Sequence, residues 1–106
     1  MPKKTTINAL KILAHIAGPN PQRQRQFEEE LVNREVASKI YQLRERARLS
    51  QAALARRVGT TQSVISRLED ADYDGHSLAM LNRIAAAVHC RVEIRFVALK
   101  RHLKSA

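Results

Sequence analysis

A short polar helix face in the middle of the chain carries the side chains best suited to chemistry. If residues 62–69 form a helix, Ile65 and Leu68 take its apolar side, and the opposite side is left as Gln62, Ser63, Ser66 and Arg67. A glutamine amide can pair with N6 and N7 of adenine, and an arginine guanidinium can pair with O6 and N7 of guanine. These residue types therefore favour recognition by hydrogen bonding over catalysis.

Catalytic and metal-binding patterns are weak by comparison. His89 and Cys90 suggest a base and a nucleophile, but adjacent side chains at a helix end point in different directions, and no third group orients the histidine. His15, His76 and His102 lack metal-ligand spacing. The chain also has no glycine-rich phosphate loop. We therefore expect no enzyme activity, no metal and no cofactor.

Two short helices joined by a tight turn would hold the polar face in place. Ser50 suits the N-cap of a helix over 51–58, Gly59 supplies a left-handed turn, and Thr61 suits the N-cap of the helix over 62–69. Together these features predict a helix-turn-helix over residues 50–69. The positions expected to face inward are Leu54, Ala55, Val58, Ile65 and Leu68.

The remaining segments predict a mainly all-α chain with three parts. Residues 1–22 are expected to form an N-terminal helical arm and a proline-containing linker, and residues 91–106 a C-terminal strand and a basic tail. Between them, residues 23–90 form the helical domain, with a long first helix over 23–48 and a last helix capped by Ser77. The predicted apolar stripe of the long helix is Phe27, Leu31, Val32, Val36, Ile40, Leu43 and Ala47, and the last helix is expected to face the core with Leu78, Leu81, Ile84, Ala85 and Val88.

The charge is strongly positive and concentrated at the two ends. The formal net charge is +9, whereas residues 27–90 carry equal numbers of acidic and basic residues. Such an excess attracts a polyanion or an acidic protein surface. A single cysteine, no apolar run long enough to span a membrane and no export signal indicate a cytoplasmic protein.

The stretch 90–100, CRVEIRFVALK, has the period-two alternation of a half-buried strand. A lone strand leaves its backbone groups unpaired, so it needs a partner. Two copies paired antiparallel about Ile94 would place Glu93 opposite Arg95 and Val92 opposite Phe96. We therefore expect a homodimer seam here; a strand from a partner protein is the alternative.

At the helix-turn-helix the sequence resembles the Cro/lambda-repressor-like (XRE) family. The residues that carry the resemblance are Gln51, Ala55, Gly59, Thr61, Gln62, Ser63, Ile65, Ser66, Arg67, Leu68 and Glu69. The resemblance implies a five-helix DNA-binding fold. The lengthened first helix, the segment YDGHSLAMLNRIAAAV and the basic-flanked VEIRFV also resemble HigA-type antitoxins of type II toxin-antitoxin modules.

The resemblance also implies a role for individual residues. Gln51 would grip a DNA phosphate, and Arg44 and Glu69 would form a structural pair. Gln62, Ser63 and Arg67 would read bases, and Thr61 and Ser66 would contact the DNA backbone.

Two functions remain open at this point. The first is a repressor that binds a near-palindromic operator in double-stranded DNA as a homodimer, with no toxin partner. The second is an antitoxin that neutralises a small basic RelE- or HigB-like toxin and autoregulates its operon. The toxin contacts expected in that case are Ile7, Leu10 and Leu13 of the arm, with Phe27 and Leu31 of the long helix.

Overall fold

The computed structural model describes residues 20–99, which form four α-helices and no strand. They are α1 (Pro21–Arg46), α2 (Gln51–Val58), α3 (Gln62–Leu68) and α4 (Leu78–Ala87). The resemblance implied five helices, but residues 69–77 between α3 and α4 contain only turns and irregular backbone. The predicted arm helix with Ile7, Leu10 and Leu13 lies outside the described residues, as does the basic tail from residue 100.

The first helix begins two residues earlier than predicted. Asn20 is its N-cap, since the side-chain oxygen accepts a hydrogen bond from the backbone N–H of Gln22 at 2.9 Å. Pro21 occupies the first helical position, where its missing N–H costs nothing. Part of the predicted linker is therefore helical.

The same helix ends two residues earlier than predicted because the chain turns at Arg48. That residue has a φ of 58°, in the left-handed region that breaks a right-handed helix. Arg44 supports the turn by donating from Nη1 to the carbonyl of Leu49 at 2.8 Å.

Short-range capping was predicted correctly for the other three helices. The side chains of Ser50, Thr61 and Ser77 accept hydrogen bonds from Ala53 N, Val64 N and Met80 N, respectively. Gly59 ends α2 with a φ of 85°, and His89 takes the left-handed turn after α4 with a φ of 60°. These geometries fix where α2, α3 and α4 begin and where α2 and α4 end.

The core lies among α2, α3, α4 and the second half of α1. Leu54, Ile65 and Ile84 are fully buried, and Ile40 of α1 packs in the same cluster. The predicted inward positions of α2 and α3 are confirmed, including Ala55, which is 2% exposed. In α4, Leu78 was expected in the core but is exposed, because it lies about 120° around the helix from Ile84.

The predicted stripe on α1 is correct only for Val36, Ile40 and Leu43, whereas Val32 and Ala47 are exposed. Val36 and Leu43 pack against the core beside Ile40. Leu31 is exposed because nine residues separate it from Ile40, which at about 100° per residue puts it on the opposite side of the helix. Phe27, thirteen residues before Ile40, also points away from the core side of the helix, and it is only partly buried. The first half of α1 therefore presents apolar residues away from the core.

The strand predicted near the C-terminus is not formed within the described residues of a single copy. Residues 91–99 have no regular secondary structure, and Phe96 is 99% exposed. Within residues 20–99 no other segment offers a strand edge, so the backbone has nothing to pair with.

Candidate nucleic-acid interface

The tight turn between α2 and α3 sets the angle at which α3 is presented. The N–H groups of Gly59 and Thr60 both donate to the carbonyl of Ala55, at 2.9 Å each. Thr61 then starts α3 by accepting from Val64 N at 3.3 Å. Because Ala55 is buried where the two helices meet, α2 and α3 approach closely.

The turn leaves one face of α3 exposed. Ile65 and Leu68 are buried at 0% and 3% exposure, while Gln62, Ser63, Ser66 and Arg67 are exposed, as predicted. Thr61 is exposed at the start of the helix. A shallow surface depression is lined by Gln51, Gln62, Ser63, Ser66, Arg67 and Asp70. The predicted recognition residues of α3 therefore share one surface with Gln51 of α2.

A buried ion pair fixes α3 to α1. Arg44 donates to Glu69 through Nε at 2.6 Å and through Nη2 at 3.1 Å, a bidentate arrangement. The two side chains are 9% and 6% exposed. The hydrogen bond to Glu69 raises the pKa of Arg44 and outweighs burial, which lowers it. Arg44 is therefore charged throughout the working pH range, and its guanidinium also lies 5.3 Å from the centroid of the Tyr41 ring.

Three contributors to the site were not predicted. Arg83 of α4 donates from Nη2 to the carbonyl of Val58 at 2.8 Å, at the end of α2. His76 Nε2 donates to the carbonyl of Leu68 at 2.7 Å, at the end of α3. Asp70 follows α3 and lines the depression. The sequence carries no local signal for the first two, because Arg83 lies in the middle of α4 and His76 lies eight residues beyond the end of α3.

Tyr73 packs over the loop instead of standing free. Its ring meets that of His76 edge-on, with centroids 5.1 Å apart and planes at 76°. A Cβ at Gly75 would collide with the Tyr73 ring, so glycine lets the tyrosine fold back. Tyr73 therefore has a packing role within the loop.

The other predicted site residues lie away from this surface or outside the described range. Glu93, Ile94, Arg95 and Phe96 are exposed, and Val92 is partly buried. Glu93 makes only a 3.9 Å contact with Arg91, both highly exposed, which contributes little. Phe27 and Leu31 lie in the first half of α1, on a different side of the helix from a polar groove whose acidic residues are Glu29, Glu30, Asp72 and Asp74.

Residues 20–99 contain neither a metal-binding cluster nor a membrane-spanning helix. No group of three or more histidine, cysteine, aspartate or glutamate side chains is arranged to hold a metal ion within that range. None of the four described helices combines the length and apolar character required to cross a membrane.

A short α2, a glycine turn and an α3 with one buried and one polar face define a helix-turn-helix protein. A family profile described as "Helix-turn-helix domain" matches residues 35–93, more than half of the chain. The chain therefore belongs to the helix-turn-helix domain family, in its XRE-like form. Such a domain implies a DNA-binding transcriptional regulator and is typically non-enzymatic. No curated protein and no solved structure matches the chain.

Proposed function

We propose that the protein is a sequence-specific transcriptional repressor whose α3 enters the major groove of duplex DNA. The observation that carries the proposal is the exposed hydrogen-bonding face of α3 above a fully buried apolar face. An α-helix fits the major groove of B-DNA, where the edge of each base pair presents a distinct pattern of donors and acceptors.

Side-chain chemistry divides the α3 surface into two roles. Gln62, Ser63 and Arg67 read bases, with glutamine suited to adenine and arginine to guanine. Thr61 and Ser66 contact sugar or phosphate, and so does Gln51, which lines the same depression from the start of α2. Each bidentate base contact contributes about 1–3 kcal/mol of discrimination.

One α3 is too short to specify an operator, so we propose that the protein binds as a homodimer. Two copies related by a twofold axis would place two α3 helices on successive turns of the duplex and read a near-palindromic site. The segment over residues 92–96 suits the seam because Ile94 is 60% exposed and Phe96 is 99% exposed in the single chain. Antiparallel pairing about Ile94 would satisfy the backbone groups and pair Glu93 with Arg95 on each side.

The seam is tested by replacing Ile94 with proline. Proline removes a backbone donor at the centre of the ladder, so I94P is expected to be monomeric at micromolar concentration by analytical ultracentrifugation. The matched control is A98P, outside the paired residues 92–96, which is expected to stay dimeric. A dimeric I94P variant would exclude this seam.

DNA recognition is tested by selection from a random-sequence duplex library. The wild-type protein is expected to enrich a near-palindromic motif with two half-sites about 10 base pairs apart. Its affinity for the enriched duplex should fall steeply with salt, with a logarithmic slope of about −0.9 for each phosphate contact. The absence of an enriched motif, or a flat salt titration, would refute the proposal.

A specific surface supports antitoxin activity as a second function of the same repressor. The first half of α1 presents Phe27 and Leu31 on the side away from Ile40. The exposed Glu28 and Glu35 lie three residues before and four residues after Leu31, on the same side of the helix. An apolar strip flanked by acids suits a small basic RelE- or HigB-like toxin. In the alternative, the protein is a stand-alone regulator and this surface has no such partner.

Co-expression with the product of an adjacent gene distinguishes the two cases. An antitoxin is expected to neutralise and co-purify with that product, and the F27S/L31S variant should lose both properties. The matched control is V32S, since Val32 is 57% exposed on a different face of α1. If no adjacent gene encodes a small basic toxin, or if F27S/L31S still neutralises it, toxin binding through this surface is wrong.

A further inference from the structure

Glu69 accepts hydrogen bonds from two side chains of different elements. Besides the bidentate contact from Arg44 of α1, the Oε1 atom of Glu69 accepts from Gln51 Nε2 of α2 at 3.1 Å. Its carboxylate is 6% exposed, whereas Gln51 is only partly buried and lines the depression beside Gln62 and Arg67. The buried ion pair is therefore connected directly to the exposed polar surface.

This contact fixes which way the Gln51 amide is turned. A carboxylate has only acceptor atoms, so the Gln51 atom that faces Glu69 must be the amide nitrogen. That nitrogen carries two hydrogens, and only one is used by Glu69. A DNA phosphate is also an acceptor, so it requires the second one. Glu69 therefore holds Gln51 in the orientation that a phosphate contact needs.

The positive charge of Arg44 offsets the negative charge of Glu69 beside the expected phosphate. An unpaired carboxylate this close to a phosphate would repel it. Arg44 neutralises Glu69 through two hydrogen bonds, the shorter of 2.6 Å. Arg44, Glu69 and Gln51 together carry no net charge, and the second carboxylate that Arg44 contacts, Glu45 at 3.3 Å, has a side chain that is 55% exposed. One amide hydrogen of Gln51 is left for the phosphate.

We infer that Glu69 is a positioning residue for DNA binding, which preorganises Gln51 for a phosphate while Arg44 cancels its charge. This inference rests on the proposed function, because it requires that Gln51 meets the DNA backbone. A purely structural Arg44–Glu69 pair would not need the third hydrogen bond. With Gln51 already fixed, DNA binding does not have to order a flexible glutamine side chain.

A double-mutant cycle tests the coupling between Gln51 and Glu69. The variants are Q51M, E69Q and the double variant Q51M/E69Q, with Q26M on α1 as the matched glutamine control. The probe is the duplex that the wild-type protein enriches most from the random library. Methionine keeps the length of glutamine but has no N–H, and E69Q gives Gln51 a partner that no longer requires its amino group.

The expected result is strong non-additivity in DNA affinity. Q51M and E69Q are each expected to weaken binding about 5- to 10-fold, within the range of the net contribution of one ordinary hydrogen bond. The double variant should bind no worse than Q51M alone by more than about twofold, and Q26M should match the wild type. A methylphosphonate at the contacted phosphate should weaken the wild-type protein and leave Q51M unaffected.

The inference is wrong if Q51M and E69Q weaken DNA binding independently of each other. If E69Q weakens binding by the same factor with and without Gln51, Glu69 acts only through the fold. If the wild-type protein enriches no duplex at all, the proposed function itself fails, which is a different result. Affinities are compared at a temperature where circular dichroism shows every variant folded.

A measurement on the wild-type protein covers the case in which E69Q does not fold. The side-chain amide of Gln51 in the free protein is expected to be rigid by NMR relaxation, unlike that of exposed Gln26. Equal mobility of the two amides would overturn the inference without any variant.

Discussion

His76 closes the end of α3 by donating from Nε2 to the carbonyl of Leu68, the last residue of that helix, at 2.7 Å. Because a carbonyl only accepts, the proton is on Nε2, and Nδ1 is left buried without a partner among residues 20–99. The helix that presents the recognition face is thus held at its far end by a side chain eight residues away.

The first prediction concerns the stability contributed by His76. Replacing it with alanine leaves the Leu68 carbonyl without its partner and removes the ring packed on Tyr73, so H76A is expected to lose about 1–2 kcal/mol. Urea denaturation measures the change. The control is H89N, which removes a different histidine at a position where asparagine tolerates the positive φ, and it should stay within about 0.5 kcal/mol. Equal losses in the two variants would contradict the assigned role.

The second prediction concerns the buried ion pair. R44A leaves the Glu69 carboxylate buried without its cation and is expected to destabilise the domain by about 3 kcal/mol. R46A, which removes an exposed arginine of the same helix, should change stability by less than about 0.5 kcal/mol. Chemical denaturation of both variants checks the difference.

The pH dependence of that loss follows from the raised pKa of Arg44. A group whose pKa is raised by folding contributes stability that is fully present below the pKa of the unfolded chain and is lost only as the pH rises through the folded value. For an arginine both values lie above the working range, so the deficit of R44A should be equal at about pH 6 and about pH 9. A deficit that shrinks within this window would show that another group carries the effect.

The third prediction separates recognition from folding. The double variant Q62A/R67A is expected to lose binding to the selected duplex while its free energy of unfolding stays within about 1 kcal/mol, because both side chains are exposed. Gel-shift titration and urea denaturation give the two quantities. Unfolding of the variant, or unchanged DNA affinity, would contradict the assignment of these residues.

The fourth prediction tests the register of the proposed dimer seam. E93R places two arginines opposite each other, and R95E places two glutamates opposite each other, so each single variant should weaken the dimer. The double variant E93R/R95E restores opposite charges and should recover most of the loss. Each cross-strand pair contributes about 0.2–1 kcal/mol and the dimer contains two, so a change of several-fold in dimer dissociation is expected by analytical ultracentrifugation.

Local sequence signals predicted the helix-turn-helix well. The caps at Ser50, Thr61 and Ser77, the left-handed turn at Gly59, and the polar face of α3 are all found where the residue types indicate. The early start of α1 at Pro21 was missed because the two prolines were interpreted as a linker, although Asn20 before Pro21 is also a capping pattern.

Long-range contacts account for the errors and omissions. The apolar residues of α1 were assigned to one stripe, but only Ile40 and its neighbours meet the core. The N-terminal half of α1, which contains Leu31, extends past the other helices. Arg83 and His76 reach carbonyls 25 and 8 residues away, and neither partner follows from spacing along the chain. A strand over 92–96 requires an edge that residues 20–99 of one copy do not supply.

The sequence by itself therefore determined α2, α3 and α4, their N-caps and the polar face of α3, because these depend on hydrogen bonds and side-chain periodicity within a few residues. Only the tertiary structure decided that Glu69 holds Gln51 as well as Arg44, and which half of α1 is buried. Such contacts depend on how the helices cross, and packing of the whole core sets the crossing.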